Sequence, residues 1–392
     1  MANAEADRIH GRPFSIYLHK NKIAMKISSK IFVSALCVSM LIVSSCDTTG
    51  SKKGARSYDL SSFDAVDLSA IEPERVSPPE MILGMPFEIC MVSDSILAFK
   101  DIRIGNRQLW LLNVNNGKSA QTLYYGNGPK ECLGVSNIWK DNGYLFAGGF
   151  YDRKVLKIGI NPDSLTSDIE CIAEIPDDFL RVITLSDSCL LYAPISIPDV
   201  RYLLARMDGS VIDTVGIFNL KDRVEEGLRP ANHMFQMQMA FSPDKRYMVA
   251  PNIDWPMIEI YTTVSFNETI VLEGPVKTDS RIIERVSASG MIGYPQKPGW
   301  SMFRGLTTCN DGFVVGFVGR ELKNKEDYGK GPESLLLFDW EGNPTKKIDF
   351  GREIVDFTID FKSMTVYALV NDPEPMVVKY ALSVGYEELW EN

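Results

Sequence analysis

Histidine is almost missing from this 392-residue chain: there are three, and only His233 lies beyond residue 45. That excludes histidine-rich metal sites and leaves any histidine-dependent catalysis resting on one side chain, which its long loop leaves solvated. Beyond Cys46 there are five cysteines, Cys90, Cys132, Cys171, Cys189 and Cys309. The number is odd and no C-x-x-C pair occurs, so neither a disulfide framework nor a zinc site follows. In apolar runs such cysteines act as small buried hydrophobes. No G-x-S-x-G elbow is present. No stretch keeps a 3.6-residue apolar period for three turns, and no apolar run reaches the roughly 20 residues of a spanning helix.

What the chain does have begins near its N-terminus. Lys26 and Lys30 precede a 13-residue apolar run, Ile31 to Val43, which ends in Val43-Ser44-Ser45-Cys46. A basic segment, a short apolar core and small residues before the cut define an export signal. The last four residues resemble a bacterial lipobox, which assigns residues 25–45 to a signal peptide and makes Cys46 the lipidated N-terminus. Two acyl chains on one cysteine meet the two-anchor requirement for stable membrane attachment. Residues 1–24 have no role in this scheme and read as an extension upstream of a true start at Met25. Residues 46–57, small, polar and Gly-containing, read as a flexible tether, and residues 58–392 as the folded body. Cleavage removes six basic and two acidic side chains from totals of 41 and 51, leaving 35 against 49 and a net charge of −14. Such a surface repels polyanions, so the expected partner is the membrane, through the anchor, and not nucleic acid.

From residue 58 the apolar runs are short, β-branched and aromatic, with turn signals every 8 to 12 residues or so, the pattern of an all-β sandwich, barrel or propeller. A longer period lies over it. Six strands enter after a turn: DSILAFKD, DNGYLFAGGF, SDSCLLYAPI, SPDKRYMVAP, NDGFVVGFVG and FKSMTVYALV. Each has a partner strand, but only the first five are followed by an outer strand. SSFDAVDLSAI (61–71) is a spare strand at the N-terminus. A ring in which that strand completes the last unit leaves only short, protected edges. The expected fold is therefore a six-bladed β-propeller with four-stranded antiparallel blades. A β-sandwich is the rival, though it leaves the permuted outer strand without a reason.

The lipobox, SPDKRYMV and the Gly-x-Gly-Pro-x-Glu at 126–131 together resemble the TolB-like six-bladed propeller lipoproteins of Bacteroidota. The resemblance spans most of the chain beyond Cys46, and it implies the same fold and an envelope location, with the outer membrane as the expected address. It implies no reaction. In that family the first turn tends to read Gly-Pro-Gly-Glu-Phe; here Lys130 and Cys132 stand at the last glycine and the phenylalanine.

GNGPKE and its echo GKGPES lead into strands and lack a following G-K-S/T, so they are compact turns rather than phosphate loops. In a propeller both fall on the face shared by the outer-to-inner connections and the loops between second and third strands. That face carries the long segments 218–236, 274–304 and 319–333. The second contains Tyr294, Trp300, Phe303 and Arg304, which suits either a lid over the channel or a plug within it. Shorter loops there carry Arg103, Arg153, Asp254, Trp255 and Arg320. Arginine beside aromatic groups suits planar, carboxylate or sugar ligands; the same charges also suit ion pairs between blades. The expected ligand-binding set is thus Arg103, Arg153, Asp254, Trp255, Trp300, Arg304 and Arg320. The expected function is a non-catalytic module binding an envelope protein, a peptide or a glycan, with no cofactor. The alternative is a metal-dependent, lactonase-like hydrolase drawing oxygen ligands from Asn252, Asp254, Glu131 or Asp152.

Overall fold

The computed structural model describes residues 55–392 apart from 102–105, 220, 267–268, 279–280, 288–289, 296–298, 325–326, 328, 372 and 392. The signal peptide, Cys46 and Arg103 therefore lie outside the described residues. The chain forms six mostly antiparallel sheets around a central channel, a six-bladed β-propeller. Blade 1 runs from its inner strand Pro86–Ser93 through Ile96–Asp101 and Arg107–Asn113 to Ser119–Tyr125. The inner strands of the next five blades are Val135–Asp141, Phe179–Ser186, Ala240–Phe241, Gly299–Thr308 and Asp356–Asp360.

The sequence pattern explains why these sheets pack side by side. The second strands have buried central runs, Ile96–Asp101 at every position, because both faces of each blade meet a neighbour. Six apolar clusters result, one at each blade-to-blade junction. Leu109 and Leu145 share the cluster between blades 1 and 2. Val155 and Leu190 share the next, then Leu191 and Met248, Val249 and Phe313, and Leu337 and Val366. Leu97 and Leu369 join the sixth blade to the first and shut the ring.

The N-terminal segment does close the last blade, but with other residues than the pattern suggested. Glu74–Arg75 pairs antiparallel with Met376–Ala381 as the fourth strand of blade 6. The run 61–71 instead places Asp64–Asp67 parallel to Pro344–Asp349, as a fifth strand on blade 5. Further upstream Arg56–Ser57 lies parallel to Thr269–Glu273 on blade 4, so paired structure begins two residues inside the stretch read as tether. The first segments of the body thus strap the outer edges of blades 4, 5 and 6 in turn. Burial selects the register: Phe63 enters the cluster between blades 4 and 5, while Val66 and Leu68 enter the one between blades 5 and 6.

A second correction concerns the loop 274–304. Its last six residues are strand: Gly299–Thr308 is the inner strand of blade 5, and Trp300, Phe303 and Arg304 belong to it. Upstream of it, Ile282–Ser287 pairs with Gly290–Pro295 as a separate hairpin that carries Tyr294.

Candidate functional site: the central channel

The inner strands of all six blades line one cavity of about 500 Å³. Its walls include Cys90, Ile138, Ile183, Met239, Leu306 and Ile359, one from each blade. The exposed lining residues, Asp94, Lys140, Asn142, Pro243 and Lys362, cluster at the turns from inner to second strand, which places the mouth there. No described residue of the long segments 218–236, 274–304 or 319–333 lines this space. The channel therefore opens on the face opposite the one from which a lid was expected.

The far end is a charged layer built from the first residues of the inner strands. Lys100 Nζ, reaching in from the second strand of blade 1, donates to Glu88 Oε2 at 2.5 Å and to the Ser136 carbonyl at 2.9 Å. Arg181 donates through Nη1 to the same carbonyl at 2.5 Å and through Nε to the Met237 carbonyl at 3.2 Å. Its Nη1 also lies 3.5 Å from Glu88 Oε1. Blades 1 to 4 are knitted together by these contacts.

Asp356 of blade 6 completes the layer. Its carboxylate accepts the Phe357 N–H at 2.8 Å and the Glu88 N–H. Burial raises its pKa to about 7; the charge of Glu88 pushes the same way, while Lys100 opposes it. Gly305 leaves the room it occupies: a β-carbon there would sit 2.6 Å from Asp356 Oδ1, and its φ of +81° is a value that suits glycine. Gln238, which also lines the cavity, has a buried Oε1 without a hydrogen-bond donor among the described residues.

The mouth has its own network. Lys245 Nζ is 2.6 Å from Asp141 Oδ2, which also accepts from Thr184 Oγ1 at 2.7 Å. Trp139 Nε1 donates to that hydroxyl at 3.0 Å. Lys362 and Asp94, both exposed, pair at 2.6 Å across blades 6 and 1.

The residues singled out in the sequence lie elsewhere. Asp254, Trp255 and Arg304 gather where blades 4 and 5 meet. Burial raises the Asp254 pKa to about 6, against the pull of Arg304. Trp255 is 2% exposed and packs 6.0 Å from Phe235, so its ring anchors the 218–236 segment and leaves no face for a ligand. Trp300 packs against the cluster between the same two blades. Arg153 donates to the Pro176 carbonyl at 2.9 Å. Arg320 pairs with Glu333 of the same blade at 3.0 Å, and Arg229 with Asp199 at 2.5 Å. Among the described residues no three His, Cys, Asp or Glu side chains gather as a metal-binding group. The four proposed oxygen ligands are divided: Asn252 Oδ1 accepts the N–H groups of Asp254 and Trp255 in blade 4. Glu131 and Asp152 accept from Gly128 and Leu133 near blade 2.

Both Gly-Pro turns prove to be locked structural elements. In the first, Lys154 Nζ donates to the Gly128 carbonyl at 2.9 Å, and Glu131 fills the space a Gly126 β-carbon would need, 2.1 Å away. In the second, the Gly331 N–H donates to Glu353 Oε1 at 2.8 Å.

A propeller of this design has relatives. The chain matches the model of the TolB-like 6-blade propeller-like family over residues 72–362, and it belongs to that family. No curated protein matches it. Among solved structures it is similar to a putative exported protein of Bacteroides fragilis, at 13% identity and a TM-score of 0.48, covering 79% of this chain and 88% of that one. It is similar also to a member of the duf4221 family from Bacteroides vulgatus, at 10% identity and a TM-score of 0.49, covering 79% and 95%. A third is the Swd1 β-propeller domain of Myceliophteria thermophila, at 9% identity and a TM-score of 0.42, covering 79% and 99%.

Proposed function

We propose that the protein is an exported, lipid-anchored binding module of the cell envelope whose working site is the central channel. The export signal and Cys46 support the location, with the outer membrane as the expected address. One observation carries the function: a cavity of about 500 Å³, apolar at mid-depth and charged at both ends, lined by all six inner strands. Concave sites with apolar walls and a few convergent polar groups are where small ligands bind. The occupant is a small molecule, or the end of a peptide or glycan chain, entering from the inner-to-second-strand turns. Binding, rather than turnover, fits a layer whose Lys100, Arg181 and Glu88 are committed to one another.

Native mass spectrometry of the mature protein, purified from its own envelope, tests this. The expected result is a non-covalent adduct that is absent from Leu306→Trp, a variant that fills the channel. An adduct of the same mass and occupancy on both proteins, or none on either, would overturn the channel as the binding site.

A further inference from the structure

The two ends of the channel differ in what they lack. At the inner end, Lys100 and Arg181 are held by Glu88 and by backbone carbonyls. Asp356, 7% exposed, accepts only from backbone N–H groups and makes no ion pair among the described residues, although the charge of Lys100 acts on it. Gln238 Oε1 beside the same space has no donor among the described residues. Gln238 Oε1 is thus a buried acceptor without a matching donor, which costs about 1–3 kcal/mol, and beside it the Asp356 carboxylate has backbone donors but no ion pair among the described residues. At the mouth the lining carboxylate Asp360 is already held by the Lys362 N–H and the Ser363 hydroxyl. Lys245 and Lys362 are paired, but Lys140 has no ion pair among the described residues and lines the cavity.

Register sets the distance between the ends. Asn137 lies four residues before Asp141, the last paired residue of its hairpin, and Asp356 lies four before Asp360, so the two share a depth. Lys140 is three residues further along from Asn137, or about 10 Å at ~3.3 Å per residue. Between them lie Ile138, Met239 and Leu306.

From this, and resting on the channel being the binding site, we propose that the ligand is a zwitterion. A primary ammonium faces Asp356 and Gln238 at the inner end, and a carboxylate faces Lys140 at the mouth. An unbranched apolar spacer of about 10 Å joins them. An ammonium supplies three donors to a layer with spare acceptors. Because burial keeps Asp356 titrating near neutrality, at about 7, the incoming cation also stabilises its ionised form.

The test uses three probes in calorimetric titration of the mature protein: 8-aminooctanoate, octylammonium and octanoate. The expected order puts 8-aminooctanoate at least about tenfold tighter than either singly charged probe, the scale of one charge-assisted hydrogen bond. Asp356→Asn should weaken 8-aminooctanoate and octylammonium by about tenfold and leave octanoate unchanged. Lys140→Gln should weaken 8-aminooctanoate and octanoate and spare octylammonium. Octanoate binding as tightly as 8-aminooctanoate, or indifference of both amines to Asp356→Asn, would overturn the assignment. So would failure of all three probes on a protein that still carries its native adduct; the channel would then remain the site and only the zwitterion would be lost.

Discussion

Arg201 Nη2 lies 2.5 Å from Glu259 Oε2, with the two side chains 1% and 0% exposed. The pair spans blades 3 and 4 at their junction. Glu259 also accepts from Asn219 at 2.6 Å and Tyr261 at 2.9 Å, and Arg201 donates to Asn232 Oδ1 at 2.9 Å. The 218–236 segment is thereby tied to the blades at both ends. Breaking a buried pair by removing one partner leaves a charge without compensation, at about 3–5 kcal/mol. Glu259→Ala should therefore lower the urea midpoint by that equivalent, and the double variant Arg201→Met, Glu259→Leu should lose less than the single one.

Asp356 predicts a pH dependence whose sign is fixed. An unfolded aspartate ionises near ~3.9, whereas Asp356 in the fold does so at about 7. Between those values the folded protein keeps a proton that the unfolded chain has released. Stability therefore falls as pH rises through the window. Asp356→Asn removes this contribution. Its stability relative to the parent should rise from pH 5 to pH 8 by no more than about 3 kcal/mol, read from urea midpoints at the two pH values. A difference that does not change with pH would contradict the placement of the carboxyl.

Phe63 tests the strap. It is 7% exposed, with its ring 5.2 Å from that of Phe338 and 5.9 Å from that of Tyr58. Phe63→Ala should cost about 3–5 kcal/mol, as a core aromatic does. A loss within ~0.5 kcal/mol, the range of ordinary surface substitutions, would show that the strap is a loose appendage.

Gly331 tests the second Gly-Pro turn. A β-carbon there would lie 1.7 Å from the Ile354 carbonyl oxygen, so Gly331→Ala should cost about 1–3 kcal/mol through forced backbone movement. Lys330→Ala removes only the half-exposed pair with Glu353 and should cost about 0–1 kcal/mol. Thermal denaturation of the two variants distinguishes a locked turn from a flexible one.

Much of the propeller was legible in the sequence because second and third strands are buried on both faces and read as continuous apolar runs, LLYAP and YLLAR among them. The inner strands were harder. VSNIWKD and GWSMFRGLTT interleave polar and apolar residues because one edge faces the channel, so they resemble loops, and the channel residues Glu88, Lys140, Arg181 and Asp356 went unremarked with them. Six strands were read as entering after a turn; counting back three to five residues from the turns that begin at Ser93, Lys140 and Ser186 reaches Glu88, Asn137 and Arg181. The outer arginines drew attention through chemistry alone, and their partners, such as the Pro176 carbonyl for Arg153, are set by tertiary packing. The closing strand was misplaced because SSFDAVDLSAI has the stronger alternation, while Glu74–Arg75 is held by backbone pairing and by Ser77 Oγ, which accepts the Val377 N–H at 3.1 Å.

The order in which the N-terminal segments meet the blades has a mechanical meaning. Tension entering at Arg56 would run along ribbons laid parallel to Thr269–Glu273 and then to Pro344–Asp349, loading rows of hydrogen bonds in shear. A pull from the direction of Cys46 would meet blade 4 first, blade 5 next, and the seam of the ring last.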